Sequence, residues 1–422
     1  MTDQQNWARN YRYTALRQHY PETLEQIQDL VKGCRKVRAL GSRHSFNHIA
    51  DCEEDQISLK RFQSPISIDR DKQTVTVGGG ATYGQLCKTL HEAGFAIPNM
   101  ASLPHISVAG ACATATHGSG DGNGCLATAV SALEIVDANG QLVNLSREID
   151  GELFDGAAVS LGALGIVTTL TLDISPTFSV RQDVYENLTM EQAEANLETI
   201  LSSAYSVSLF TDWGGGGFNQ VWRKSRVTAD VNMGLEPEWF GARLATREMH
   251  PIASVSAENC TPQLGVAGPW HERLPHFKMD YLPSAGDELQ SEYLIPRQNA
   301  LAAIQAIEGL KHLIHPLLQI SEIRTIAADS LWMSPFYRQA CVAVHFTWKQ
   351  DWPGVRNLLP RLEEALAPYG TRPHWGKLFT MESAQLQPLY GKLPDFKALA
   401  QRFDPEGKFR NAFVDNYLYG NG

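Results

Sequence analysis

The chain has no C-x-x-C cysteine pair, no block of basic residues and no apolar run long enough to cross a bilayer. Each absence removes a class of function. The seven cysteines, at 34, 52, 87, 112, 125, 260 and 341, are odd in number and widely scattered, so they indicate neither a zinc site nor a dithiol redox centre. They read instead as buried free thiols of a reducing compartment. Lysine and arginine total 36 against 46 aspartates and glutamates, and the resulting net charge of -10 argues against nucleic acid as a partner. The notable uncharged stretch from Gly156 to Leu172 is glycine-rich, ends in alternating β-branched residues and falls short of the ~20 apolar residues of a membrane helix. The opening MTDQQNWARNYRY carries no apolar signal segment. A cytoplasmic monomer without membrane partners is expected.

Several enzyme motifs are also missing. In GGGATYG, Tyr83 stands where G-x-G-x-x-G requires its last glycine, which withdraws support for a Rossmann dinucleotide site. Each Gly-Lys pair, at 376, 391 and 407, lacks the Ser or Thr of a P-loop. In HERLPH, His271 and His276 lie five apart with Pro275 between, so they cannot share a helix face as zinc-binding H-E-x-x-H does, and no metal is expected. There is no G-x-S-x-G nucleophile elbow.

What is present is a mixed α/β pattern in a chain of 422 residues, a length that favours two domains. Leu24, Ile27 and Leu30 recur at helical spacing after Pro21; KVRALG and TVTVGGG read as strands running into glycines. ALEIVDANGQLVNL reads as a hairpin turning at Asn139-Gly140. Beyond residue 177 come a polar helical stretch, a glycine run at 214–217 and a proline- and charge-rich passage over 230–290. After Pro296, Leu301, Ile304, Ile307, Leu310 and Ile314 predict one helix face; LQISEIRTIAA and CVAVHFTWK predict strands, and RNLLPRLEEAL another helix. This suits an α+β domain whose antiparallel sheet has helices on one face and leaves the other free to cover something.

Two groups of residues carry chemistry. LGSRHSFN places His44 beside a Gly-Ser turn, and GGGATYGQL and ATATHGSGDGNG add further glycine-dense loops, a pattern that lets backbone approach a long phosphate-bearing ligand. Taken singly, His44 reads more readily as a structural histidine and the loops as surface turns. On strands, Glu322 and Arg324 share one face, as do His345 and Thr347, opposite apolar Val344, Phe346 and Trp348. A solvated sheet face with an ion pair is the alternative reading of those four residues.

The combination decides. LGSRHS, TVTVGGGATYGQL, IPNMASLPHISVAGACATATHGSG, SLGALGIVT and HWGK follow one another in an order that resembles the FAD-binding domain of the vanillyl-alcohol oxidase superfamily, over about residues 7 to 415. Within it, YSVSLFTDW, GPWHERLPHF, ELQSEYL, EIRT, AVHFTW and RPHWGK resemble the alditol oxidases. The resemblance implies an α+β fold: a PCMH-type FAD-binding domain over 1–177, a substrate-binding cap over 178–373 with an antiparallel sheet, and a segment over 374–422 returning to the first domain. It implies FAD bonded through its 8α-methyl to His44, with contacts from Gly41, Ser42, Arg43, Ser45, Ser102, Ser107, Val108, Ala109, Gly110, Thr114, His117, Ile166 and His374. Arg43 departs from the glycine expected there. The substrate, a polyol oxidised with oxygen as acceptor, would meet Ser102, Gln290, Glu322, Arg324, Thr347 and Lys377. A polyol needs many fixed partners, because each buried hydroxyl left unpaired costs about 1–3 kcal/mol. His345, bearing the one side-chain type that ordinarily titrates near neutrality, is the first candidate for the base and Lys377 the second; Lys377 and Arg324 would stabilise alkoxide charge, and Glu322 would hold Arg324 or a hydroxyl. An aldonolactone oxidoreductase and a sugar-binding module without redox function are the rival readings.

Overall fold

The computed structural model describes residues 4–62, 64–227, 236–279 and 288–420. Near the N-terminus the helix Leu24–Gly33 is capped by the Thr23 hydroxyl and buries Ile27 and Val31 against the parallel strands Val37–Ala39 and Asp55–Ile57. A five-stranded antiparallel sheet follows, ordered Ser67–Asp69, Thr74–Gly78, Ile166–Asp173, Val130–Val136 and Leu142–Ser146. Its last two strands form the hairpin expected at Asn139-Gly140, with Gly140 at φ 72°, a left-handed conformation that glycine adopts without penalty.

A second, ten-stranded sheet begins at Ser179. Its central order is Ser179–Thr189, Gly217–Val227, Ser206–Thr211, Leu318–Ile326, Cys341–Trp348 and Leu289–Pro296, all antiparallel. Val207, Leu209, Ile323, Val342, Val344, Phe346, Tyr293 and Ile295 face the helices Met190–Leu201, Ala300–Gly309 and Trp352–Leu366 and form one core. The polar residues that alternate with them face the first domain.

Two expectations need correcting. The periodic stretch from Leu301 to Ile314 is two helices, Ala300–Gly309 and Lys311–Ile314, because Leu310 leaves helical geometry at φ −99°, ψ 5°. The region after 177, read as mostly polar helix and loop, supplies the long strands Ser179–Thr189 and Gly217–Val227, and Leu289–Pro296 is a strand before Pro296. Charged residues inside these strands hid their alternation. Positions 230–235 and 280–287 of the proline- and charge-rich passage lie outside the described residues.

After the short strand Arg372–Pro373 the chain returns to the first domain. The buried Arg38 guanidinium donates to the carbonyls of Phe409 and Gly162, and Asn411 donates to those of His48, Ile49 and Asp51. All seven cysteines are free thiols, and all but Cys34 are buried. Among the described residues, no helix is long and apolar enough to cross a membrane.

Candidate active site

A cavity of about 700 Å³ lies between the first domain and the polar face of the large sheet. Such a volume falls in the upper part of the ~300–1,000 Å³ range of small-molecule and cofactor sites. Gly41–Ser45, Gly79, Gly80, Ser107, Gly110, Thr114 and Gly162 line one part, and Gln290, Glu292, Glu322, Arg324, His345, Thr347 and Lys377 line another.

At the glycine-lined end, two loops are stitched together: Ser107 N–H donates to Ser42 Oγ at 3.0 Å, and Ser42 N–H to Ser107 Oγ at 3.4 Å. A Cβ on Gly41 would stand 2.6 Å from Ser107 Oγ, so any larger residue would push that hydroxyl out of its contact with Ser42. Next to it Arg43 holds φ 64°, the left-handed conformation that the expected glycine would take. The turn therefore keeps its shape despite the bulky residue, at a strain on the order of 1 kcal/mol. His44 stacks on Trp7 at 5.2 Å and meets the tilted ring of His105 at 4.9 Å. Its Nδ1–H donates to the Ser42 carbonyl at 3.2 Å, while Nε2 is buried with no partner. Burial, helped by His105, pushes its pKa down to about 3, so the ring is neutral and keeps a free lone pair. Asn47 ties this turn to the HWGK segment by donating to the carbonyls of Trp375 and Lys377, both at 2.8 Å.

At the other end, sheet register does the assembling. Glu322 lies opposite His345, which lies opposite Glu292 on the next strand, and Ile320, Thr347 and Gln290 form the adjacent row. Lys377 donates to Glu292 at 2.7 Å, and Arg324 donates to its other oxygen at 2.9 Å. His117 Nε2 stands 3.4 Å from the same carboxylate. Arg324 also lies 3.4 Å from Glu322 and donates to Ser102 Oγ at 3.5 Å. Burial would raise both carboxyls, but Lys377, His117 and Arg324 hold Glu292, and Arg324 and His276 hold Glu322, well below the usual carboxylate range. His345 is driven down to about 4 by burial and by Lys377, and its Nε2 is buried without a partner.

Of the residues expected at the site, Val108 and Ile166 do not line the cavity: both side chains are fully buried in the core, and the Val108 N–H is committed to the Ala81 carbonyl. Their neighbours Ser107, Ala109, Gly165 and Val167 line it instead. Gly41, Ser42, Arg43, His44, Ser45, Ser102, Ser107, Ala109, Gly110, Thr114, His117, His374, Gln290, Glu322, Arg324, His345, Thr347 and Lys377 all line the cavity. Glu292 was missed, although it sits two residues after Gln290 on one strand and so shares its face. His276 was missed without any such signal. It hydrogen-bonds Glu322 at 2.8 Å from an irregular segment, whereas His271 packs against His91.

Five cavity histidines imply a pH dependence, His250 among them, lowered by burial. Burial lowers His44 to about 3, His345 to about 4, His276 below its ordinary value and His374 well below it. The unfolded chain binds protons below about pH 6.5 where the folded one does not, so stability is complete above that pH and declines as pH falls toward the folded values. Loss of the Glu292 and Glu322 ion pairs, whose contribution is present above about pH 4.5, adds to the decline in stronger acid. Thermal unfolding of the flavin-free protein is expected to show Tm falling steadily from pH 7 to pH 5; a flat profile would contradict the buried neutral rings.

The neutral imidazole with an open lone pair, the glycine turns that bring backbone to the cavity wall and the cavity volume fit a flavin dinucleotide. With the antiparallel cap sheet they define an FAD-linked oxidoreductase of PCMH type. Residues 18–146 match the FAD binding domain family and residues 285–417 the D-arabinono-1,4-lactone oxidase family. An alditol oxidase from a Streptomyces species is 47% identical over 98% of this chain and 99% of its own length, and the chain belongs to the alditol oxidase family. An L-gulonolactone oxidase from Mus musculus is 23% identical over 98% of both chains, and an L-gulono-1,4-lactone dehydrogenase from Mycobacterium tuberculosis 27% identical over 94% of both. A crystal structure of cholesterol oxidase from B. sterolicum shares the fold, with a TM-score of 0.79 at 15% identity over 98% of this chain and 96% of that one.

Proposed function

We propose that this enzyme oxidises the terminal primary alcohol of alditols such as xylitol and sorbitol to the aldose, reducing oxygen to hydrogen peroxide, with FAD held covalently on His44. The observation that carries the reading is the row of Glu292, His345 and Glu322, with Arg324 and Lys377 beside it, facing one cavity with His44. When bound, FAD supplies the acceptor for the hydride that leaves the carbinol carbon. Gly41, Ser42, Arg43, Ser45, Ser102, Ser107, Ala109, Gly110, Thr114, His117 and His374 would hold it. The chain's own task is to position the polyol and manage its hydroxyl proton. Neutral His345, with an open Nε2, accepts that proton as the carbonyl forms. Lys377 is salt-bridged to Glu292 and so keeps its proton, which favours Lys377 as a stabiliser of alkoxide charge rather than the base. Gln290, Thr347, Glu322, Arg324 and Ser102 hold the remaining hydroxyls. Ala109 and Ala111, both small and both at the cavity wall, leave room for oxygen. The free cysteines support a cytoplasmic location, and we take the enzyme to be a monomer.

The test is anaerobic flavin bleaching with xylitol, sorbitol and gulonolactone, followed by admission of air. Fast bleaching by the two alditols, little by the lactone, and stoichiometric peroxide on reoxidation are expected. Preference for the lactone, or no reoxidation by air, would overturn the reading.

A further inference from the structure

Lys224 and His276 are deeply buried, and neither has a part in the chemistry above. Lys224 lies on Gly217–Val227, two strands from Glu322, outside the cavity wall. Its Nζ donates to the carbonyls of Leu274 at 2.6 Å and Pro275 at 2.9 Å and to His276 Nδ1 at 3.2 Å, three acceptors that use every N–H of the protonated form, whose pKa burial pulls down to about 7. His276 Nε2 lies 2.8 Å from Glu322 Oε1. A carboxylate only accepts, so Nε2 must carry the imidazole proton while Nδ1 takes the hydrogen bond from Lys224. The other oxygen of Glu322 faces Arg324 Nη1 at 3.4 Å and His345 Nδ1 at 3.9 Å. Phe210 and Trp222 meet the His276 ring edge-on at 5.6 and 5.3 Å.

We propose that Lys224 is a positioning residue of the substrate site: by donating to His276 Nδ1 it fixes the Nε2–H tautomer, which clamps Oε1 of Glu322 and leaves Oε2 to serve Arg324, His345 and a substrate hydroxyl. Burial lowers the pKa of His276 and agrees with a neutral ring. An apolar residue at 224 would leave Nδ1 and the Leu274 carbonyl without donors, while the Pro275 carbonyl would keep the Thr261 hydroxyl at 2.9 Å. The imidazole would then be free to turn its lone pair on Glu322 or to gain a proton and draw the carboxylate away from Arg324. The effect on turnover rests on the alditol reading, whereas the tautomer does not.

Substitution at 224 strands two buried acceptors and endangers folding, so the decisive variants are at 276. His276→Gln keeps an N–H donor and an acceptor oxygen, and His276→Phe keeps the ring that Phe210 and Trp222 pack on but neither hydrogen bond. The proposal expects H276Q to reduce flavin with an alditol within a few-fold of the parent, and H276F to lose roughly 10–100-fold in limiting rate. A purely packing role expects the reverse order, and that result would overturn the proposal. Independently of turnover, ¹⁵N-histidine spectra should show one ring, absent in H276Q, protonated on Nε2 and bare on Nδ1. An Nδ1–H tautomer would overturn the clamp. Failure of every alditol to bleach the parent would overturn the function and leave the tautomer result standing.

Discussion

Replacing Glu292 with Gln is expected to cost about 3–5 kcal/mol of stability and to slow flavin reduction by roughly 100-fold or more. The carboxylate is 1% exposed and is the shared anion of Lys377, Arg324 and His117. A glutamine keeps the shape and one acceptor oxygen but leaves buried Lys377 without its counter-charge and Arg324 with Glu322 alone. Burial already lowers the Lys377 pKa, and Glu292 opposes that shift. Without it, Lys377 loses its proton at lower pH, and alkoxide stabilisation falls away as pH rises through the new value. Denaturant unfolding and a pH series of anaerobic reduction rates test both halves. A variant with parental stability and an unchanged pH profile would mean that the cluster contributes neither structure nor catalysis.

The second large effect is chemical. His44→Ala is expected to abolish acid-stable flavin: protein precipitated in acid and run on a denaturing gel should lose its fluorescence completely, and the mass increment of one FAD should vanish. The fold should persist, because His44 makes one backbone hydrogen bond and two ring contacts, while Asn47 still ties the loop to Trp375 and Lys377. Non-covalent FAD should still bind through the Ser42–Ser107 turn and the other glycine-lined loops. Flavin that remains attached after acid in this variant would move the linkage to another residue.

Both predictions concern residues of different legibility. His44 stood out because a Gly-Ser turn after a strand is a local pattern, and the residues that build it lie within a few positions of one another. Glu322, Arg324, His345 and Thr347 were legible because a strand alternates sides every residue, so one strong apolar stripe, such as Val342, Val344 and Phe346, assigns the other face by elimination. Glu292 carried the same alternation, with Leu289, Tyr293 and Ile295 in the core. It went unread because a charged passage adjoins its strand and masks where the strand begins. The resemblance implied Val108 and Ile166 as flavin contacts, yet both side chains turn into the core, Val108 from the first turn of the helix Val108–Ala113 and Ile166 from a strand whose next residue, Val167, lines the cavity.

The residues alone determined the glycine turns, the hairpin at Asn139-Gly140 and which side chains share a strand face, because φ preferences and two-residue periodicity act over a few positions. Only the tertiary structure decided that Glu292, Lys377 and His117 form one charged cluster, that Lys224 reaches Glu322 through His276, and that the polar sheet face closes over His44. These partners lie tens to hundreds of positions apart in the chain. What joins them is strand register and the burial energy of two cores, a sum over the whole molecule that no local pattern encodes.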